Sequence, residues 1–190
     1  MCNSSNEGKE FTLRYIQRYL NNIESPRLLD VGVGQGTYYS LLNQHLHHPF
    51  WTGIEIYSPY IERFRLRERY DQIFNIDVRT FTPDHKETYH VILCGDVLEH
   101  MTKEQAVATV ARLHKHCDIL VISIPIRKWP QHADENPWQE HVKDDWTTQE
   151  VMQTFDTIIA SEVGTGVGVF ITKGNLNLAN PEKMTNQKFV

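Results

Sequence analysis

Cysteine is scarce in this chain. It occurs three times among 190 residues, at Cys2, Cys94 and Cys117. An odd number of widely separated cysteines provides neither a disulfide framework nor the paired spacing of a zinc site. The pattern indicates reduced thiols, so we predict a cytoplasmic protein. Because Cys94 lies inside an apolar run, we expect it to be a core residue.

Basic residues are in the minority, with 19 lysines and arginines against 24 aspartates and glutamates and a net charge of −5. This balance disfavours nucleic acid as a partner, although a local basic patch would escape such a count. No apolar run approaches the length that spans a bilayer, and the first eight residues lack a signal-peptide core. We therefore expect no membrane association. The composition leaves the oligomeric state open.

Strand-length apolar segments alternate with segments of helical periodicity along most of the chain. This alternation predicts an α/β fold with three αβα layers around a doubly wound, mainly parallel sheet. Residues 157–163 and 167–173 flank Gly-Thr-Gly and predict an antiparallel hairpin that closes the sheet. The length suits one domain, which we place over residues 1–175, with a helix inside the N-terminal segment 1–24. Residues 176–190 are polar and predict a flexible tail.

The most informative stretch is residues 28–36, Leu-Leu-Asp-Val-Gly-Val-Gly-Gln-Gly. Its apolar start predicts a short buried strand, and its glycines predict a tight turn into a helix: Gly32, Gly34 and Gly36. Backbone without side chains lets a ligand lie against the main chain. The G-x-G-x-x-G fingerprint of dinucleotide-binding enzymes would need a glycine where Thr37 stands. A nicotinamide-dependent oxidoreductase is therefore disfavoured.

Acidic residues follow the next predicted strands: Glu55 after the second, Asp77 after the third and Asp96 after the fourth. In open α/β sheets the ligand binds beyond the carboxyl ends of the strands. A carboxylate at Glu55 can accept both ribose hydroxyls, and Asp77 is placed to accept from an adenine amino group, with Val78 flanking the ring. Each carboxylate alone could be a solvated strand end. Because an acidic residue follows each of three successive strands, the pattern favours a nucleoside-binding site.

The D-x-G-x-G-x-G run from Asp30 and the D-x-x-E-H run from Asp96 to His100 resemble two motifs of class I S-adenosylmethionine-dependent methyltransferases. The resemblance covers roughly residues 28–125 and implies S-adenosylmethionine as cofactor. It implies Asp30 near the cofactor's amino group and the glycines beside its amino-acid moiety. It further implies Glu55 on the ribose, Asp77 at the adenine and the segment from Gly95, including Asp96, along the methyl side.

Residues 126–146 lack clear periodicity and contain Trp129, Trp138 and Trp146. Long loops in compact domains are commonly functional, and the tryptophan content argues against disorder. We interpret the segment as an acceptor-side loop with tryptophans as walls. The alternative is a packed flap in which Trp138 and Trp146 only bury surface.

Three histidines are candidates for catalysis. His132 and His141 in the loop could act as the base that an acceptor carrying a proton requires. His100 could contact the substrate, or it could cap or orient Glu99. A metal bound by His132, Asp134 and His141 has no diagnostic ligand spacing, so we predict no metal site.

The sequence as a whole predicts a methyltransferase that transfers a methyl group from S-adenosylmethionine to a small-molecule acceptor. Two alternatives stay open: a catalytically silent S-adenosylmethionine-binding module, and a methyltransferase acting on nucleic acid or protein. A macromolecular substrate would need an added recognition surface. The chain has no extra domain, and Gly-Asp-Val-Leu stands at residues 95–98 in place of an N-P-P-Y-type tetrad.

Overall fold

The computed structural model describes residues 5–84 and 86–178. Its helices are α1 (Lys9–Leu20), α2 (Thr37–Leu42), α3 (Ser58–Arg63), α4 (Lys103–His114) and α5 (Thr148–Thr154). Its strands are β1 (Arg27–Val31), β2 (Phe50–Ile54), β3 (Gln72–Phe74), β4 (Tyr89–Gly95), β5 (Cys117–Pro125), β6 (Ile158–Val163) and β7 (Val167–Lys173). No helix in these ranges has the length and apolar character needed to cross a bilayer.

The strands form one seven-stranded sheet in the order β3-β2-β1-β4-β5-β7-β6. The first five strands of that order are parallel, whereas β7 pairs antiparallel with both β5 and β6. The chain winds outward from β1 to β3 and then restarts at β4 on the other side of β1. This confirms the predicted doubly wound sheet and places its topological switch point between β1 and β4.

Alternate residues of the central strands supply two separate cores, one on each face of the sheet. Leu28 and Val91 belong to the core beneath α1, α2 and α3, whereas Leu29 and Ile92 belong to the core beneath α4 and α5. All residues of β5 are buried, as expected for a strand covered on both faces. Cys94 is fully buried, which confirms its predicted place in the core.

Side-chain caps start the two helices that follow the switch point. The Thr102 hydroxyl accepts from the backbone N–H of Gln105, whose own side chain accepts from the backbone N–H of Thr102. The hydroxyl of Thr147 accepts from the backbone N–H of Glu150 at the start of α5. The helix after β2 is short and ends at Arg63, and Arg65 then has a left-handed φ of 51°.

The segment before α1 is tied to the β6–β7 turn by the carboxylate of Glu7. This carboxylate accepts from the backbone N–H groups of Gly166 and Val167, at 2.9 and 2.7 Å, and from the hydroxyl of Thr165 at 2.8 Å. Hydrogen bonds from Gly166 and Val167 lower the pKa of Glu7 to about 2. One carboxylate therefore joins the segment before α1 to the turn between β6 and β7.

The start of the predicted flexible tail is held in place. The backbone N–H of Leu176 donates to the carbonyl of Cys117 at 3.0 Å, and that of Leu178 donates to the carboxylate of Asp118 at 2.7 Å. These two hydrogen bonds join residues 176 and 178 to β5, and the flexibility of the tail stays a prediction. Residues 179–190 lie outside the described part of the chain.

Replacement of Leu120 by alanine tests the core beneath α4 and α5. Leu120 is fully buried in β5, so we expect Leu120→Ala to lower the free energy of unfolding by about 2–5 kcal/mol. Met152→Ala is the matched control, since Met152 is 47% exposed on α5 and its loss should cost less than about 0.5 kcal/mol. Equal losses in urea denaturation of the two variants would contradict the assigned core.

Candidate active site

A cleft opens at the carboxyl ends of β1, β2 and β4, where the strand order reverses. The structure brings seven of the eight residues predicted for the cofactor to its walls. These are Asp30, Gly32, Gly34, Glu55, Asp77, Val78 and Asp96. The cleft is also lined by residues that the sequence did not single out, including Tyr38, Tyr60, Ile76 and Met101.

The glycine turn folds back onto the end of β2. The backbone N–H groups of Gly32 and Val33 both donate to the carbonyl of Ile54, at 2.9 and 3.1 Å. Gly32 and Gly34 have φ values of 67° and 54°, in the left-handed region that glycine adopts without strain. A Cβ on Gly32 would lie 2.6 Å from the side chain of Val97. The turn thus presents bare backbone to the cleft.

Gly36 lies outside the cleft wall. Its carbonyl accepts from the guanidinium of Arg69 at 2.9 Å, and a Cβ at this position would lie 2.6 Å from that guanidinium. Arg69 also donates to the carbonyl of Gln35 at 2.7 Å. Gly36 therefore allows Arg69 to close the turn from outside. Its position does not support the predicted contact with the cofactor.

The Glu55 carboxylate is held in a fixed orientation at the end of β2. Its Oε2 accepts from the backbone N–H of Gly34 and its Oε1 from that of Tyr57, each at 2.8 Å. Burial raises the pKa of Glu55, and these two N–H donors oppose the shift. The Asn75 amide fixes the backbone by donating to the carbonyl of Glu55 at 2.7 Å. Each carboxylate oxygen keeps a further lone pair for a ligand hydroxyl.

Asp30 is buried beneath the turn, where its carboxylate accepts from the hydroxyl of Tyr70 at 2.6 Å. Burial raises the pKa of Asp30 to about 7, although the Tyr70 hydrogen bond and the positive charge of Lys9 oppose the shift. The Lys9 ammonium is itself buried and lies 4.1 Å from the centre of the Tyr38 ring. Sequence reasoning missed Lys9, because a lysine at the start of an amphipathic helix ordinarily faces solvent.

Asp77 and Val78 form the wall beside β3. The Asp77 carboxylate is paired with the guanidinium of Arg79, at 2.6 Å from its terminal nitrogen. Burial acts to raise the pKa of Asp77, but hydrogen bonds from Arg79 outweigh it and lower the pKa. Val78 is nearly buried and adds an apolar surface to the cleft. Asp77 is therefore an engaged carboxylate rather than the free acceptor that the sequence suggested.

The wall after β4 is shaped by close packing. A Cβ on Gly95 would lie 2.2 Å from the ring of Tyr38, so only glycine fits beside this tyrosine. Asp96 follows with a positive φ of 55°, which is uncommon for a residue with a side chain. Its backbone N–H donates to the carbonyl of Ser123 at 2.9 Å, which holds the turn. Such backbone strain is typical of functional turns.

The loop of residues 126–146 folds against the cleft, where Asn136, Trp138 and Gln139 line the wall. The loop is pinned on one side by the hydroxyl of Tyr57, which donates to the carbonyl of Glu135 at 3.1 Å. Its other side is fastened by the backbone hydrogen bond from Lys143 to the carbonyl of Glu99 at 3.0 Å.

The three tryptophans of the loop have different roles. Trp138 lines the cleft, with the Arg79 guanidinium 5.6 Å from its ring centre. Trp146 is 1% exposed and packs against Phe155, so it buries surface. Trp129 is 38% exposed and lies beside Arg127. The wall interpretation thus fits Trp138, and the flap interpretation fits Trp146.

Two of the three predicted catalytic histidines lie at the cleft, and the third does not. His100 lines the cleft, and His141 lies against it with the two ring centres 5.0 Å apart. Nδ1 of His100 lies 2.9 Å from the carbonyl of Glu140, and Nδ1 of His141 lies 2.6 Å from the carbonyl of Trp129. His132 is exposed and is absent from the cleft lining. Its position does not support the prediction that it acts as the base.

Glu99 is the polar residue whose environment sequence reasoning missed. It is 1% exposed, and its Oε2 has no hydrogen-bond partner within the described part of the chain. The D-x-x-E-H run drew attention to this position, but its burial depends on tertiary packing of the loop. Burial raises the pKa of Glu99, and the nearby charge of Asp96 acts in the same direction.

Comparison with known proteins agrees with this geometry. The model of a family described as a methyltransferase domain matches residues 29–119. No curated protein sequence matches the chain.

Among solved structures, the N-terminal domain of EvdMO1 with bound SAH superposes with a TM-score of 0.64 at 11% identity, covering 90% of this chain and 82% of that one. Magnesium protoporphyrin IX methyltransferase from Synechocystis with bound SAH superposes with a TM-score of 0.63 at 15% identity, covering 88% and 84%. The small RNA methyltransferase HEN1 reaches a TM-score of 0.63 at 15% identity, covering 93% of this chain but 26% of that one.

Residues 29–119 of the chain therefore match a methyltransferase-domain family, and the superposed structures share the Rossmann-like fold of the whole chain. The family resemblance drawn from its glycine turn and its D-x-x-E-H run is confirmed. At these identities the solved structures establish the fold alone.

The buried carboxyl of Asp30 predicts a pH dependence of stability. Its folded-state pKa of about 7 lies above the ordinary 3.8, so the folded state binds more protons than the unfolded state between these values. This contribution to stability is full below about pH 4 and is lost as the pH rises through 7. We expect Asp30→Asn to flatten that decline in denaturation curves of the ligand-free protein. The same slope in wild type and variant would contradict the assigned pKa.

Proposed function

We propose that this protein is a methyltransferase that binds S-adenosylmethionine in the cleft and transfers its methyl group to a small-molecule acceptor. The observation that carries the proposal is the Glu55 carboxylate, which is oriented by the Gly34 and Tyr57 amides beside bare glycine backbone. It keeps lone pairs for a ligand at the edge of an open cleft.

Each part of S-adenosylmethionine has a matching segment of the cleft wall. The ribose hydroxyls would donate to Glu55, and the adenine would lie along the apolar surface of Val78 with Asp77 at its edge. The methionine moiety would rest on the turn at Gly32 and Gly34. A positively charged ligand near Asp30 would favour its ionised form, which offsets the cost of burying that carboxylate.

The chemistry required of the protein is mainly positioning. A lone pair of the acceptor attacks the methyl carbon as the carbon–sulfur bond breaks, and S-adenosylhomocysteine leaves with the electron pair. Alignment of two bound reactants can contribute roughly 7–11 kcal/mol to the barrier. An acceptor that carries a proton must also lose it. His100, on the wall where the methyl side would lie, is the histidine best placed to serve this step.

A small acceptor fits the way the loop closes the cleft. Asn136, Trp138 and Gln139 line the same cleft as His100, so this loop narrows the space available to an acceptor. The net charge of −5 provides no general attraction for a phosphate backbone. Magnesium protoporphyrin IX methyltransferase shares the fold over 84% of its length, whereas this chain spans 26% of HEN1.

The free, buried thiols of Cys94 and Cys117 are consistent with a cytoplasmic location.

Replacement of Glu55 tests the cofactor site. Glu55→Ala removes a charged acceptor of the ribose hydroxyls, so we expect weaker S-adenosylmethionine binding by about 1.5–3 kcal/mol, or roughly 10- to 150-fold. Isothermal titration calorimetry measures this affinity directly. Glu62→Ala is the matched control, because Glu62 is an exposed glutamate on α3 and should leave the affinity unchanged. Unchanged affinity in Glu55→Ala would reject the ribose role.

The class of acceptor is tested by following the transferred methyl group. The purified protein is incubated with methyl-labelled S-adenosylmethionine and a cell extract, which is then separated into small-molecule, nucleic-acid and protein fractions. We expect label in the small-molecule fraction. Label confined to nucleic acid or protein would instead show a macromolecular acceptor. Binding without incorporation into any fraction would indicate a silent binding module.

A further inference from the structure

We propose that Glu99, His100 and His141 bind a divalent first-row transition-metal ion at the acceptor end of the cleft. One carboxylate oxygen and one ring nitrogen from each histidine lie within 4.8 Å of one another. Glu99 and His100 come from the turn after β4, and His141 comes from the loop of residues 126–146. The site therefore exists only when the loop packs against the sheet.

The two imidazoles are oriented as metal ligands would be. Nδ1 of each ring meets a backbone carbonyl, of Glu140 for His100 and of Trp129 for His141. A carbonyl only accepts, so each Nδ1 carries the proton and each Nε2 keeps its lone pair. Metal-ligating histidines are held in this way, with the second ring nitrogen donating to a carbonyl or carboxylate.

One carboxylate oxygen of Glu99 is buried without a hydrogen-bond donor in the described part of the chain. This side chain is 1% exposed, and Oε2 lacks a hydrogen-bond partner among residues 5–84 and 86–178. A buried carboxylate oxygen without a donor is costly, and a bound cation would satisfy it. The same carboxylate belongs to the cluster formed with His100 and His141.

The donor set indicates the class of metal. Two imidazole nitrogens with one carboxylate suit zinc, manganese, iron or cobalt, whereas magnesium and calcium prefer oxygen ligands. Metal–ligand bonds of about 2.1 Å place ligand atoms roughly 3–4 Å apart, so small side-chain rotations would close the cluster around an ion. Three protein ligands leave at least one coordination position for water or substrate.

The position of His100 on the cleft wall gives the ion a role, and this part of the proposal rests on the proposed function. An acceptor hydroxyl bound at the open position would lose its proton to water more readily. Its oxygen could then attack the methyl carbon while the sulfur takes the electron pair of the broken bond. With the ion bound, Nε2 of His100 would be a ligand and not the base for proton removal, and the acceptor atom would be oxygen.

The sequence prediction of no metal site considered a different set of residues. His132 is exposed, and the cluster within the described residues leaves out both His132 and Asp134. His141 instead meets Glu99 and His100 through tertiary packing, which ligand spacing along the chain does not reveal.

The test is metal binding by the full chain after dialysis against a chelator and without S-adenosylmethionine. Mn²⁺ is titrated by electron paramagnetic resonance, Zn²⁺ by calorimetry and Co²⁺ by visible absorption. We expect one ion per chain, at least tenfold weaker binding in Glu99→Gln and in His141→Ala, and no change in His132→Ala. Failure of the wild type to bind any of the three ions would overturn the proposal. So would unchanged binding in both ligand variants, or an equal loss in His132→Ala.

These variants distinguish a failure of the proposed metal site from a failure of the proposed methyltransferase function. Glu55→Ala should lose affinity for S-adenosylmethionine and keep the metal, whereas His141→Ala should lose the metal and keep most of its affinity for S-adenosylmethionine. Binding of an ion without binding of S-adenosylmethionine would reject the proposed function and leave the metal site standing. If Glu99→Gln does not fold, the His141→Ala variant tests the metal site, because His141 is only partly buried and its loss should leave the fold intact. A metal-dependent rise in melting temperature should appear in the wild type and not in His141→Ala.

Discussion

The hydrogen bond from the Gly34 amide to the Glu55 carboxylate is the interaction on which the cleft depends. It joins the turn after β1 to the end of β2, and the two amides that donate to the Ile54 carbonyl reinforce the same junction. A turn held only by its own residues could move over the cleft. Fastened to the neighbouring strand, it leaves the space beyond β1 and β4 open, with its backbone facing that space.

The second half of the site is built by long-range packing rather than by local turns. The loop of residues 126–146 is hydrogen-bonded to Tyr57, which follows β2, and to Glu99, which follows β4. It thereby brings His141 beside His100. The side of the cleft at β1 and β2 is thus fixed by parallel strands in register, and the opposite side is formed by a loop that packs across the ends of those strands. Differences in acceptor between proteins of this fold can arise in such a loop without any change in the sheet.

The parts of the fold that were predictable from sequence are those set by local chemistry. Strand periodicity and the glycine turn depend on neighbours within a few residues, and the structure confirms both of them. What the sequence could not show depends on residues distant along the chain. Arg69 closes the turn at Gly36 from outside, and burial of Glu99 follows from the packing of the loop. Only the folded chain reveals such pairings.

The position of β7 in the sheet affects how the chain can fold while it is being translated. This strand lies between β5 and β6, although it is the last of the three to leave the ribosome. Until residues 167–173 emerge, one edge of β5 has no partner, and that strand is buried along its whole length in the finished domain. A nascent chain would therefore hold a long apolar strand with a free edge, which favours intermolecular pairing. Chaperone shielding during translation would be most valuable in that interval.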